Sequence, residues 1–278
     1  MSGPWHRRDP KARPGANGIS LARRSYLVIV FLASYDPQTV LNSVDTRTVP
    51  VMALMSLCLG ATFVYLISAF RTAKAHSAYP APLAAVGFFA IHDATFVAYW
   101  NTWFGTYHHW WLECWAVALI LTSAIEFALC FQVYRYGRQE LMPKLTQRQF
   151  GAAIVGALLG ITAMWLTVKG IVDDPLFLIA FAVTAWMPPV FSTVLLCGRG
   201  SMRGQTMLMN WCLLLNPIGM FGAWAFLDPY FRTPPFILMG AATIGWAAFN
   251  LWVMSKYPKY EPRLGGAEKT VVPTGAAT

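Results

Sequence analysis

Charge is scarce in this chain. Asp, Glu, Lys and Arg make up only 12% of it, about half the share of a soluble domain. The charges fall in short clusters, and no basic stripe runs along one soluble element, so no nucleic-acid module is read here. Short catalytic signatures are missing as well. There is no G-x-S-x-G, no H-E-x-x-H and no P-loop, which removes the serine-hydrolase elbow, the zinc-protease helix and the phosphate-cradling loop. Asp173-Asp174 is the lone acidic pair, with no D-x-D-D and no N-D-x-x-D. Metal-dependent prenyl-diphosphate chemistry therefore has no ligand set. The five cysteines, Cys58, Cys114, Cys130, Cys197 and Cys212, form no C-x-x-C. They read as small buried side chains and leave the redox compartment unset. No internal repeat marks two related halves. No metal and no cofactor is expected.

What fills the chain is apolar sequence, 56% of the residues. It is gathered into stretches near 50–70, 83–103, 109–134, 151–171, 175–197, 207–227 and 235–255. Each reaches the roughly 20 residues that a helix needs to cross a bilayer. A helix satisfies its own backbone in lipid, and the short alternating segments of a barrel are not seen. The expected fold is all-α, a polytopic seven-transmembrane-helix bundle over residues 50–256. Residues 1–49 form a basic tail with an interfacial helix expected over 20–35, because the apolar run from Tyr26 to Ser34 follows Arg23-Arg24 and stops at Asp36-Pro37. Residues 257–278 read as disordered. The last span, 235–255, holds no lysine, so a retinal Schiff base there is excluded.

The loops alternate in charge. One side carries Arg71 and Lys74, then Arg135, Arg138, Lys144 and Arg148, then Arg199 and Arg203, then Lys256, Lys259, Arg263 and Lys269. The other carries Lys169 and Arg232 against Asp173, Asp174 and Asp228. The positive-inside rule puts the basic loops and the C-terminus in the cytoplasm. The basic N-terminal tail would prefer the same side, which conflicts with an odd number of spans. Basic loops at this face meet anionic lipid headgroups. Nothing in the sequence sets the oligomeric state.

Two acids lie deep within the spans, whereas Glu113 sits near the outer end of the third. Asp93 lies in FFAIHDATFVAYW and Glu126 in LILTSAIEFALCF. A carboxylate at the bilayer centre costs a few kcal/mol even on lenient scales, so such groups face a protein interior and serve a purpose there. At 1.5 Å per residue from the basic-loop end, Asp93 lies roughly 16 Å in and Glu126 roughly 12 Å in, with Asn216 at roughly 15 Å and Asn250 at roughly 9 Å. Four polar groups from four helices therefore share a layer, as in bundles that hold a ligand. Helical spacing aligns Phe89, Asp93, Phe96 and Trp100 on span 2, Trp115, Thr122 and Glu126 on span 3, and Thr243, Trp246 and Asn250 on span 7. Trp186 joins them by depth. Aromatic faces stabilise cations, and an acid in an apolar pocket tends to keep its proton near neutral pH. Together these are the means to generate and guide a carbocation. The expected catalytic pair is Asp93 and Glu126. The expected lining is Phe89, Phe96, Trp100, Trp115, Trp186, Asn216, Trp246 and Asn250. Kinks are expected at Asn216-Pro217 and at Trp186-Met187-Pro188-Pro189, and Gly156-x-x-x-Gly160 predicts close helix packing.

The stretch HDATFVAYWNTWFGTYHHWWLECWAVALILTSAIEFALCFQVYRYGRQELMP, with seven short-looped spans and isolated intramembrane acids, resembles the integral-membrane terpene cyclases of fungal meroterpenoid and bacterial prenylated-indole pathways. The resemblance implies protonation of a terminal alkene or epoxide on a lipophilic isoprenoid, followed by a cation cascade that closes rings. Asp93 would be the general acid, and Glu126 would tune it or receive the final proton. That family also implies an acid on the last span, where this chain has Asn250. The I-H-x-x-x-F-V-x-Y run from Ile91 to Tyr99 resembles sterol isomerases of the emopamil-binding group, which have fewer spans. Two other classes compete: a proton-coupled carrier using the same acids, and a lipid-binding or scaffold protein in which they are structural.

Overall fold

The computed structural model describes residues 35–261, and every regular element among them is helical. The segment expected to form an interfacial helix, 20–35, lies almost wholly outside the described residues, as does the tail from 262 onward. Asp36-Pro37, which ends the first apolar run, starts a helix. Proline fits the first turn, where its missing N–H is not needed, and the Asp36 carboxylate accepts from the Thr39 amide at 2.8 Å. This helix, α1 (Pro37–Thr46), leads directly into α2 (Thr48–His76).

There follow α3 (Leu83–Ala98), a π-helical segment (Asn101–Tyr107), α4 (Trp110–Tyr136), a single turn α5 (Arg138–Leu141), α6 (Gln147–Ile171), α7 (Leu178–Thr184), α8 (Met187–Arg199), α9 (Met207–Leu227), a 3-10 turn (Pro229–Arg232) and α10 (Pro234–Met254). Among the described residues six helical stretches are long and apolar enough to cross a membrane. They are α2, α4, α6, the α7–α8 pair, α9 and α10; a seventh arises if α3 and the π-helical segment count as one span bent by 46°. The bend has a local cause. The Thr95 hydroxyl donates back to the Ile91 carbonyl at 2.7 Å, a bond that tilts helices, and the Tyr99 amide is shared between the Thr95 and Phe96 carbonyls.

Around the bundle, α6 packs on α3, α3 on α4, α4 on α2, α2 on α9, α9 on α10 and α10 on α8, and α8 closes on α3. The α2–α9 seam is the tightest. A Cβ on Gly219 would stand 2.6 Å from the Leu54 carbonyl oxygen and 2.7 Å from the Cys58 nitrogen. Only a residue without Cβ lets the two backbones approach so closely. Gly156 and Gly160 behave otherwise. Nothing lies within 4 Å of a Cβ at either, so the close packing expected of that motif is not made among the described residues, because α6 turns this face outward.

The two proline kinks differ. Around Trp186-Met187-Pro188-Pro189 the helix does break, between α7 and α8. At Asn216-Pro217 it does not, and α9 runs through Pro217.

The acidic-loop end is closed by Tyr35 and Asp174. Tyr35 donates its phenol to Asp174 Oδ1 at 2.6 Å and accepts from the Leu176 amide at 2.7 Å. The Ala180 amide donates to Asp174 Oδ2 at 2.7 Å. Burial lifts the Asp174 carboxyl above the usual carboxylate range, against the opposing pull of Tyr35, the backbone amides and Lys169. The same loop holds Phe177 in left-handed backbone, φ +60°, which is uncommon for a bulky residue. Its fully buried ring lies 3.8 Å from that of Phe96, centroid to centroid.

Candidate functional site

The site begins with Asp93, which α3 turns toward α4 and which is 4% exposed. Both carboxyl oxygens are held. Thr122 Oγ1 donates to Oδ2 at 2.5 Å, and His92 Nδ1 lies 3.0 Å from Oδ1. Hydrogen bonds to a buried carboxylate offset its desolvation and fix its direction. Register between the two helices is set one turn away, where Ser123 Oγ donates to the Ala90 carbonyl at 3.1 Å.

His92 is fully buried. Its ring packs among Phe181 at 4.6 Å, Trp165 at 4.7 Å, Phe96 at 5.0 Å and Phe88 at 5.6 Å. Its Nε2 has no hydrogen-bond partner among the described residues. The imidazole is thus a wedge with one polar edge, and that edge faces Asp93. Among the described residues no group of three or more His, Cys, Asp or Glu side chains is placed to hold a metal ion.

Glu126 follows Thr122 by one turn of α4, on the same face. It is 7% exposed, and its Oε2 has no hydrogen-bond partner among the described residues. The two carboxyls are within electrostatic reach of each other. They share a cavity of about 140 Å³ between α2, α3, α4, α7, α8 and α9. Its aromatic wall is Tyr65, Phe89, Trp115, Phe181 and Trp224, with Asn216 on the α9 side. Asn216 Nδ2 donates to Thr62 Oγ1 at 2.8 Å and lies 3.3 Å from Cys58 Sγ, which ties α9 to α2 along the cavity. Trp224 Nε1 donates to the Leu178 carbonyl at 3.0 Å, and its ring lies 6.4 Å from that of Trp115.

The cavity therefore gathers Asp93, Glu126, Phe89, Trp115 and Asn216 of the residues expected there. The other five lie elsewhere, each for a physical reason. Phe96 is 1% exposed and packs behind Asp93 against Phe177, Phe181 and Trp103. Trp100 sits at the bend after α3, 48% exposed, with its ring on Phe104. Trp186 falls in the break between α7 and α8 and is 45% exposed. Trp246 and Asn250 belong to α10, which packs outside α8 and α9 and lines none of the cavity. Asn250 instead joins a buried cluster of neutral polar groups. Its Nδ2 donates to Asn210 Oδ1 and Ser192 Oγ, and it accepts from Thr193 Oγ1.

Three residues at the site went unnoticed in the sequence, Tyr65, Phe181 and Trp224, and His92 reads there as facing about 100° away from Asp93. For two of them a signal existed. Cys58, Thr62 and Tyr65 follow helical spacing on α2, and Asn216, Met220 and Trp224 do so on α9. No family model, no curated protein and no solved structure matches this chain.

Proposed function

We propose that this chain is a multi-pass membrane protein of seven spans, α3 and the π-helical segment forming one of them, with its basic loops and C-terminus in the cytoplasm. On this reading it catalyses a metal-independent, acid-initiated cyclisation or isomerisation of a lipophilic isoprenoid, as the resemblance to the membrane terpene cyclases implies. The observation that carries the reading is Asp93, gripped by Thr122 and His92, facing an aromatic-walled apolar cavity that also holds Glu126. Asp93 delivers its proton to a terminal alkene carbon or an epoxide oxygen. The π electrons of the next double bond close a ring, and the cation formed rests against Phe89, Trp115, Phe181 and Trp224. Asp93, left ionised by that transfer, takes a proton back from carbon and leaves a neutral isomer, while Glu126 tunes its acidity. Asp93 is thereby reset, so product and substrate have the same mass.

The test uses membranes holding the wild type or Asp93→Asn, supplied with farnesylated and epoxyfarnesylated small molecules. New isomers of unchanged mass, lost in a variant that still folds, support the reading. Retention of those isomers in Asp93→Asn would sink it.

A second reading, a proton-coupled carrier of a lipophilic or cationic solute, is favoured by one observation: Glu126 borders a further cavity as well. A carrier moves label across the proteoliposome membrane without changing it.

A further inference from the structure

Glu126 stands in the wall between two cavities. The smaller, of about 40 Å³, shares Tyr65, Leu66, Phe89, Glu126 and Pro188 with the larger and excludes Asp93. It runs away from the chamber to Pro80 and Ala81, in the turn between α2 and α3, with Ser192 on its far wall. One water needs roughly 10–15 Å³ on this scale, plus two or more polar partners. The volume therefore suits about three waters, and the polar side chains on its wall are those of Glu126, Tyr65 and Ser192, the last already bonded to Gln205, Asn210 and Asn250. Glu126 Oε2, buried and unpartnered among the described residues, is the group such a chain would reach.

The turn over this cavity is fastened from outside. Arg199 donates through Nε and Nη2 to the two Glu140 oxygens at 3.0 and 3.1 Å. Its Nη1 donates to the Tyr79 carbonyl at 2.9 Å, and the Tyr79 phenol donates to Glu140 at 2.9 Å. Arg203 Nη2 donates to the Ser77 carbonyl at 3.2 Å. Burial and the Glu140 charge push the Tyr79 phenol up to about 12, so it stays a donor across the physiological range. One ion pair thus holds the lid of the smaller cavity on the basic-loop face.

We infer that the smaller cavity is a hydration and proton-exchange site for Glu126, reached from the basic-loop face when the Ser77–Pro82 turn lifts, and that the Arg199–Glu140 pair keeps it shut. Asp93, outside this cavity and with both oxygens held, does not use the route. The titratable groups facing Glu126 are Asp93 from α3, Tyr65 from α2 and Cys130 from α4 itself. The inference goes beyond the proposed function and stands whether the chamber serves cyclisation or carriage, because its test needs no substrate.

The test is hydrogen–deuterium exchange of the purified full chain in lipid nanodiscs, followed by infrared absorption of protonated carboxyl groups. Glu126→Gln and Asp93→Asn assign the two bands. Ala85→Trp fills the smaller cavity, whose wall Ala85 forms. Glu140→Gln unfastens the turn without touching the interior, and keeps the test sound if the tryptophan is not accommodated. The Glu126 band should exchange about tenfold slower in Ala85→Trp and about tenfold faster in Glu140→Gln, with the Asp93 band unmoved in both, since local rather than global opening controls it. An unchanged Glu126 rate in Glu140→Gln, parallel shifts of both bands, or no protonated Glu126 band at all would overturn the inference.

Discussion

Replacing Gly219 by alanine should destabilise the bundle, although alanine is the better helix former. The propensity gain is at most about 1 kcal/mol. Against it stands a Cβ 2.6 Å from a backbone oxygen and 2.7 Å from a backbone nitrogen. Neither can swing aside as a side chain would, so α2 and α9 must separate. Overpacking of this kind costs about 1–3 kcal/mol, and in lipid no hydrophobic force pulls the helices back together. The net loss is up to about 2 kcal/mol, which for a chain of this size lowers the melting temperature by up to about 4–8 °C. Separation also stretches the 2.8 Å bond between Asn216 and Thr62 that lines the cavity. Gly156→Ala is the control, because nothing lies within 4 Å of the added carbon; it should melt at or slightly above the wild type. A thiol-reactive fluorophore reads both. Cys114 and Cys197 are exposed and react at once, while the buried Cys58, Cys130 and Cys212 react on unfolding. A Gly219→Ala protein that melts no lower than wild type, or that melts with Gly156→Ala, would refute the close-approach argument.

Three further outcomes are expected. Thr122→Val leaves Asp93 Oδ2 without its 2.5 Å donor; it should cost about 1–3 kcal/mol of stability and lower isomer formation, read by melting and product analysis together. Trp115→Leu should reduce turnover by about tenfold, as expected for a desolvated cation–π partner, whereas Trp246→Leu, outside the cavity, should leave it near wild type. Asp174→Asn tests the acidic-loop end. Because burial raises the Asp174 carboxyl, the folded state holds that proton more tightly than the unfolded chain does. The stability it contributes at low pH is therefore lost as pH rises from about 4 through the raised value. The melting temperature of wild type relative to Asp174→Asn should fall over that window, and a constant difference would contradict the assignment.

The apolar stretches were legible because length and composition suffice to mark a helix that can cross a membrane. The position of each acid along its helix was legible too, since rise per residue is fixed. What rise cannot say is where a helix stands in the bundle. Asn250 was placed at a plausible depth, yet α10 lies outside α8 and α9, so its amide meets Asn210 and Ser192 and not the cavity. Facial alignment holds only while a helix stays straight, and the bend after α3 carries Trp100 off the face that bears Asp93. The glycine pair on α6 permits close approach but does not supply a neighbour. His92 was hidden for another reason. It sits about 100° around the helix from Asp93, and only the side-chain rotamer brings Nδ1 back to the carboxylate.

The peripheral position of α6 has an evolutionary consequence. Only 11% of its apolar window is buried inside the bundle, against 50% for α9. Exchanges of one apolar residue for another along most of α6 meet no neighbouring side chain and should drift freely. On the buried face of α9 each such exchange meets α2, α10 or the cavity. Saturation mutagenesis should therefore read as a permissive stripe on α6, interrupted at Phe150, Ile154, Leu158, Ile161 and Trp165, beside a nearly closed vocabulary on the buried face of α9.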